Sequence, residues 1–299
     1  MTSIAALASP QWLTAPRRRA ILHGLVIAGL LLDVFVYGVG LGSRRTVGAD
    51  AFAYWSLDIA HPYSAGVGAM GAFLYSPVIA RLFAPASLLS WPAFWWLWTA
   101  LLVGTTIWLG WTRTIWLIAF PPVAFELYYG NVNLLIAAAI ALGFRYPAAW
   151  SFVLLTKVTP GIGLLWFAVR REWRKLAIAL GATGALVAVS LLVDRPLWEA
   201  WISSIVNAGA PANVTLPIPI WIRLPIAAAV VIWGARTDRA WTVPVAATIA
   251  LPVLWPATSL AVLAAIPALL RPELRPTPKA SLAAPPSPEL RPSPTADPA

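Results

Sequence analysis

The chain has 299 residues, of which 60% are hydrophobic and only 11% charged, and its formal net charge is +10. A soluble domain carries about 25% charge and about 45–50% apolar residues, so these totals exclude an ordinary water-soluble globule. Cysteine is absent, which excludes disulfides and thiolate chemistry, and His23 and His61 are too far apart for a zinc or iron motif.

Arginine gathers at the ends of apolar runs and in the tail, the placement of topology signals and headgroup contacts. Membrane lipid is therefore the expected partner, and no nucleic acid. Segments in lipid must be helical, because only a helix satisfies its own backbone there.

Residues 1–20 form a polar lead ending in Pro16-Arg17-Arg18-Arg19, expected to stay cytoplasmic. Ile21 to Leu41 is the first apolar run, too long for a signal-peptide core and read as a signal anchor. Asp33 lies inside it, as a proton relay or a structural hydrogen-bonding group. A polar loop follows at 42–74. In it Asp50 is a candidate general base, able to take a proton from a sugar hydroxyl, and Asp58 competes for that role. Each also reads as a solvated loop acid, and Asp50 as a helix cap as well. Tyr54 and Trp55 follow Asp50, and Phe73-Leu74-Tyr75-Ser76-Pro77 opens the next segment with proline in its first turn.

After a run to about Leu89 and another from Trp91 to Trp111, two apolar pieces, 114–125 and 134–144, flank Glu126, Asn131 and Asn133. Such pieces reach only about 17–18 Å, so they are short membrane helices or broken ones lining a cavity. Glu126 is either buried or among headgroups, and the two asparagines bridge helices or bind polar substrate. Pro147 to Val169 reads as a full span with Lys157 near mid-depth and a bend at Pro160. A lysine there needs an anionic partner: Glu126, Asp33 or a lipid-linked phosphate. Arg170 to Lys175 is the strongest interior charge cluster. Leu176 to Val193 spans again, a second polar loop covers 194–215, and Leu216 to Trp233 follows. Arg223, with Asn207 and Asn213, is placed to contact phosphate. Residues 241–270 are two short helices or one kinked region, and the Pro-rich 272–299 is a disordered or extended tail.

The expected architecture is thus all-α and polytopic, with about ten membrane segments within 21–271. The positive-inside rule puts the amino terminus, 170–175 and 236–239 inside, with loops 42–74 and 194–215 outside. Arg44, Arg45, Arg113, Arg145 and Arg195 are then exceptions, and the turn at 126–133 falls inside, away from an outer site. A P-loop and a dinucleotide fingerprint are both absent.

Four pieces in order carry a resemblance. They are Asp50 with Tyr54, Phe73-Leu74-Tyr75-Ser76-Pro77, Gly130-Asn131-Val132-Asn133, and Lys157-Val158-Thr159-Pro160 ahead of the basic cluster. A weaker fifth is Asn213-Val214-Thr215-Leu216 with Arg223. The set resembles the polyprenol-phosphate-dependent mannosyltransferases of glycosyltransferase family 87, in the GT-C superfamily. Ser76 and Asn131 depart from it, standing where that family has proline and glutamine. The resemblance implies a sugar, mannose first, carried on polyprenyl phosphate and moved with inversion to a glycolipid or lipid-linked glycan at the outer face of the cell membrane. It implies Asp50 as base, Lys157 and Arg223 on the donor phosphate, and Tyr54 and Trp55 beside the sugar. Tyr75, Glu126, Asn131, Asn133 and Asn213 join the expected binding set. Neither a cofactor nor a metal is expected. A transporter or lipid flippase is the alternative, sharing the spans and the intramembrane lysine but lacking any visible internal repeat.

Overall fold

The computed structural model describes residues 15–43, 47–66, 69, 71–207, 218–255, 257–274 and 276. Among them all regular structure is helical. In chain order the helices are α1 (Ala15–Ser43), α2 (Ala49–Trp55), α3 (Pro77–Phe83), α4 (Trp91–Gly110), α5 (Thr114–Ile118), α6 (Pro121–Tyr129) and α7 (Asn133–Gly143). There follow α8 (Trp150–Thr156), α9 (Leu165–Val169), α10 (Trp173–Val193), α11 (Arg195–Val206), α12 (Ile220–Arg236), α13 (Thr242–Ile249) and α14 (Ala265–Leu269). Single 3₁₀ turns at Ala84–Leu88, Trp111–Arg113, Pro147–Ala149, Thr159–Leu164 and Ser259–Ala264 join several of them. Most of the tail, 277–299, lies outside the described residues.

The expectation of about ten spans is corrected. By length and composition, two stretches among the described residues can cross a membrane: Trp91–Ile118 and Trp173–Val193. A third is reached only by counting α6 and α7 as one span, and they are bent by 117°. The shorter apolar helices are Pro77–Leu88, Pro147–Thr156, Thr159–Val169 and Ser259–Leu269. The reason is local. Gly130 sits at φ 71° and ends α6, a left-handed conformation that glycine adopts without a Cβ clash. Lys157 is extended, at φ −141° and ψ 108°, and ends α8 just before Pro160. The apolar runs are therefore cut part-way, and each cut reverses the chain.

Three helical hairpins result. The first runs from α6 through 130–132 to α7, the second from α8 through Lys157-Val158 to α9, and the third joins α13 to α14. Their tips meet: Asn133 Nδ2 donates to the Thr258 carbonyl at 3.3 Å, and Lys157 Nζ donates to Asn133 Oδ1 at 2.7 Å. Their bases meet at the opposite end. Arg145 and Arg171 line one cavity, and Arg145 reaches the Glu273 carbonyl at 3.4 Å. Arg170 pairs with Glu172 and Asp238, and Arg271 lies 4.7 Å from the Trp108 ring centre. Arg113 joins the same end, because the turn that carries it packs on α14.

Residues 147–169 are consequently not one span, and Arg113 and Arg145 are not exceptions to the charge pattern. They belong to one basic face with Arg170, Arg171, Arg174, Arg239 and Arg271.

Helix α4 serves as a ruler. Trp98 Nε1 donates to the Gly130 carbonyl at 2.7 Å, so residue 98 marks the tips, and Trp108 under Arg271 marks the basic face. Ten residues at a 1.5 Å rise separate them by about 15 Å, and Trp91 lies about 10 Å further on. The tips thus stop part-way along a 20-residue helix of about 30 Å. Helix α10 runs the full distance, from the basic face to Asp194, which pairs with Arg81 on α3 and accepts from Leu197 N at the start of α11. Loop 194–215, read as irregular, is largely this helix α11 in its described part.

Candidate active site

The site forms where α2 lies against the first tip. Gly48, at φ 70°, turns the chain into α2, and its N–H donates to the Tyr128 carbonyl at 2.8 Å. Gly130 lets α2 come close, since a Cβ there would meet the Ala51 Cβ at 2.7 Å. This approach brings Asp50, in the first turn of α2, to Asn131, whose Nδ2 donates to Asp50 Oδ2 at 2.7 Å. Asn131 Oδ1 in turn accepts from Val132 N at 2.7 Å, which fixes the amide orientation. Among the described residues Asp50 Oδ1 has no hydrogen-bond partner. Burial raises the Asp50 pKa from the ordinary aspartate value, against the opposing pull of the Asn131 bond and the Lys157 charge.

Glu126 is fully buried and caps α7 from the preceding helix. Its carboxylate accepts from the N–H of Asn133, from Leu134 N at 3.2 Å and from Asn133 Nδ2 at 3.1 Å. A carboxylate at a helix N-terminus is favoured by the exposed N–H groups and the helix dipole. Asn133 passes the order on, because the same amide accepts Lys157 Nζ through its Oδ1. Lys157 interacts with both the Glu126 and the Asp50 charges. Of the two acidic side chains expected as partners for Lys157, Glu126 is the one whose charge it meets, with Asn133 bonded to both. Asp33, buried on α1, has no hydrogen-bond partner for either carboxylate oxygen among the described residues.

The tyrosines brace the wall. Tyr54 and Tyr75 share a hydrogen bond at 3.0 Å between hydroxyls, and Tyr54 stacks on Phe83 at 4.7 Å and meets Trp98 edge-on at 5.5 Å. The backbone of 74–76 is held at three points: Tyr63 Oη donates to the Tyr75 carbonyl at 2.9 Å, Trp201 Nε1 to Leu74 O at 3.2 Å, and Ser76 N to Leu155 O at 3.2 Å. Ser76 is 1% exposed, and its Oγ has no partner among the described residues.

Other predicted site residues go elsewhere. Trp55 Nε1 donates to the Leu89 carbonyl at 2.9 Å and packs on Trp91, so it staples α2 to the loop before α4. Arg223 is buried, and its guanidinium donates to the carbonyls of Ile218, Ile249, Leu251 and Pro252 at 2.7 to 3.1 Å. The phosphate contact expected of it is replaced by a clamp on the third tip, where a broken helix leaves carbonyls without N–H partners. Asp58 makes a local turn, accepting from Ala60 N at 2.9 Å and meeting His61 at 3.2 Å, which holds its carboxyl below the usual value. Asn213 lies outside the described residues. The turn at 126–133, expected on the side away from the site, is at its centre.

Trp98, Tyr63 and Thr258 were missed. Two contribute through backbone or ring contacts that no spacing in the sequence announces, and Trp98 is one tryptophan among several on an apolar helix. Among the described residues no group of three or more His, Asp or Glu side chains is placed to hold a metal ion.

A recessed carboxylate and a lysine facing each other across two asparagines suit sugar transfer, and the comparison with known families bears on this directly. The model of glycosyltransferase family 87 matches residues 73–284, more than two thirds of the chain. The chain belongs to glycosyltransferase family 87. It is therefore a membrane glycosyltransferase, and the transporter or flippase reading is not favoured. The match covers Tyr75, Glu126, Asn131, Asn133, Lys157, Asn213 and Arg223, whereas Asp50, Tyr54 and Trp55 precede it. No curated protein and no solved structure gives a match.

Proposed function

We propose that this family 87 enzyme moves a hexose, mannose as the first candidate, from a polyprenyl-phosphate donor to a glycolipid or cell-envelope glycan on the outer face of the cell membrane. The observation that carries the reading is one turn. Asn131 holds Asp50, and Asn133, two residues on, holds Lys157, so a base and a cation are set by the same short segment.

In the proposed reaction Asp50 takes the proton of an acceptor hydroxyl through its Oδ1. The hydroxyl oxygen attacks the anomeric carbon from the side opposite the donor phosphate. The bond from that carbon to the phosphate oxygen breaks, the configuration inverts, and polyprenyl phosphate leaves. Lys157 offsets the charge that grows on the departing phosphate. Asn131 orients the base, Glu126 and Asn133 orient the lysine, and Tyr54 with Tyr75 form the wall behind them. A GT-C-like architecture fits this reading.

The arrangement of charge supports the orientation. Arg113, Arg145, Arg170, Arg171 and Arg174 gather at one end, which the positive-inside rule assigns to the cytoplasm, together with the lead of residues 1–20. The site then opens to the other side.

The test uses the purified chain in lipid with polyprenyl-phosphate-mannose and a panel of glycolipid acceptors. Sugar transfer is expected, and Asp50→Asn is expected to abolish it with the fold intact. Full activity in that variant overturns the assigned base; transfer only from another donor overturns mannose alone.

A further inference from the structure

At the basic face, away from Asp50, the turn from α9 into α10 frames a cavity of about 560 Å³. It is lined by Arg145, Arg171, Arg174 and Lys175, with Glu172 as the sole acid. That acid is already engaged, by Arg170 at 2.7 Å and Lys175 at 2.7 Å. Arg171 and Arg174 have no side-chain acceptor among the described residues, and Arg145 has only a backbone carbonyl at 3.4 Å. Three guanidiniums thus converge on one groove without a carboxylate to answer them. Arg171 also sits at φ 59°, closing the helix end where glycine is usual. An arginine is found there in spite of the backbone, and its side chain points into the cavity wall.

The groove runs onto an exposed apolar helix face. Ile178 forms its lower wall and is 40% exposed, and only 6% of the most apolar window of α10 is buried. Trp173, 59% exposed, stands at the rim where an aromatic ring suits the headgroup layer. A molecule filling this groove meets cations above and a bare apolar helix below. We infer that the cavity is a binding site for an anionic phospholipid, its phosphate held by Arg145, Arg171 and Arg174 and its acyl chains lying along α10. The site is separate from the transfer site and does not depend on the reading given for it. The lipid would brace the turn that joins the lysine-bearing hairpin to α10.

The experiment places the full chain in nanodiscs of phosphatidylcholine with about one third phosphatidylglycerol and reads the lipid retained by native mass spectrometry. Enrichment of phosphatidylglycerol on the protein is expected. The double variant Arg171→Gly/Arg174→Gln should cut that enrichment about tenfold. Glycine relaxes the left-handed position, so this variant should melt no lower than the parent in phosphatidylcholine alone. Arg195→Gln, in an exposed pair with Glu199 on α11, should leave the enrichment unchanged. Equal retention of both lipids, or full enrichment in the double variant, overturns the site. Displacement of the lipid by excess inorganic phosphate overturns the choice of a lipid over a soluble anion.

Discussion

The first two hairpins carry a polar tip to the same place, and they stabilise it in different ways. The first is self-contained. Glu126 on its rising arm caps the falling arm through three hydrogen bonds, and Gly130 makes the turn at no steric cost. The second has no internal cap. Lys157 ends α8 in an extended conformation, and its ammonium depends on Asn133 of the first hairpin. One tip is therefore a platform and the other a dependant, which separates residues that keep the fold from residues proposed to do chemistry. Glu126 and Asn133 belong to the former group, while Asp50 and Lys157 are set upon it.

The largest effect tests that division at its chemical end. Asp50→Asn should reduce transfer by about 10²–10⁴-fold, measured with a labelled donor, while the melting temperature at pH 7 holds or rises. The sign follows from burial. A carboxyl whose pKa is raised on folding favours its protonated form, so the stability it contributes is lost as pH rises through the folded value. The neutral amide avoids that loss.

Next, Lys157→Met should lower kcat by about 10²–10³-fold and leave the first hairpin standing, since Asn133 keeps its bonds to Glu126 and Thr258. Glu126→Ala should do the reverse, destabilising the chain by about 1–3 kcal/mol for each N–H left unpaired, read from thermal melting in detergent. A smaller melting shift for Glu126→Ala than for Lys157→Met would break the distinction between platform and dependant.

A subtler change sharpens it. Asn131→Ala removes the bond that favours the ionised Asp50, so the acid limb of the rate profile should move to higher pH, with activity retained on the alkaline side. Smallest of all, Arg195→Gln breaks an exposed i, i+4 pair and should shift stability by no more than about 0.5 kcal/mol.

The sequence already displayed the members of the site, because acids, amides and a lysine inside apolar runs are conspicuous. Lys157 was visible for that reason and Asn131 and Asn133 because they interrupt two apolar pieces, whereas Asp50 was one of two acids in a polar loop and Pro77 was read from its place in the first turn of α3. What was not visible was which runs cross. Hydropathy measures the length of an apolar stretch and is blind to reversal at Gly130 or Lys157, so 147–169 looked like a span although its two ends lie together. Counting the short runs to Leu89 and over 114–125 as crossings likewise separated the turn at 126–133 from Asp50, and set Arg113 and Arg145 apart from the other arginines of the basic face. Arg223 was read for phosphate because it lies near the end of a span with Asn207 and Asn213, and nothing in the spacing shows that frayed carbonyls of a broken helix will claim it.

The hairpin design also bears on how such a chain is made. Each of the first two hairpins begins and ends at the basic face, so on the orientation proposed above Arg113, Arg145 and Arg170 stay on the side from which the segment is inserted. On that proposal the tips carry inward a carboxylate capped by backbone N–H groups and a lysine bonded to an amide, and no arginine of these turns has to be hauled through the bilayer during synthesis.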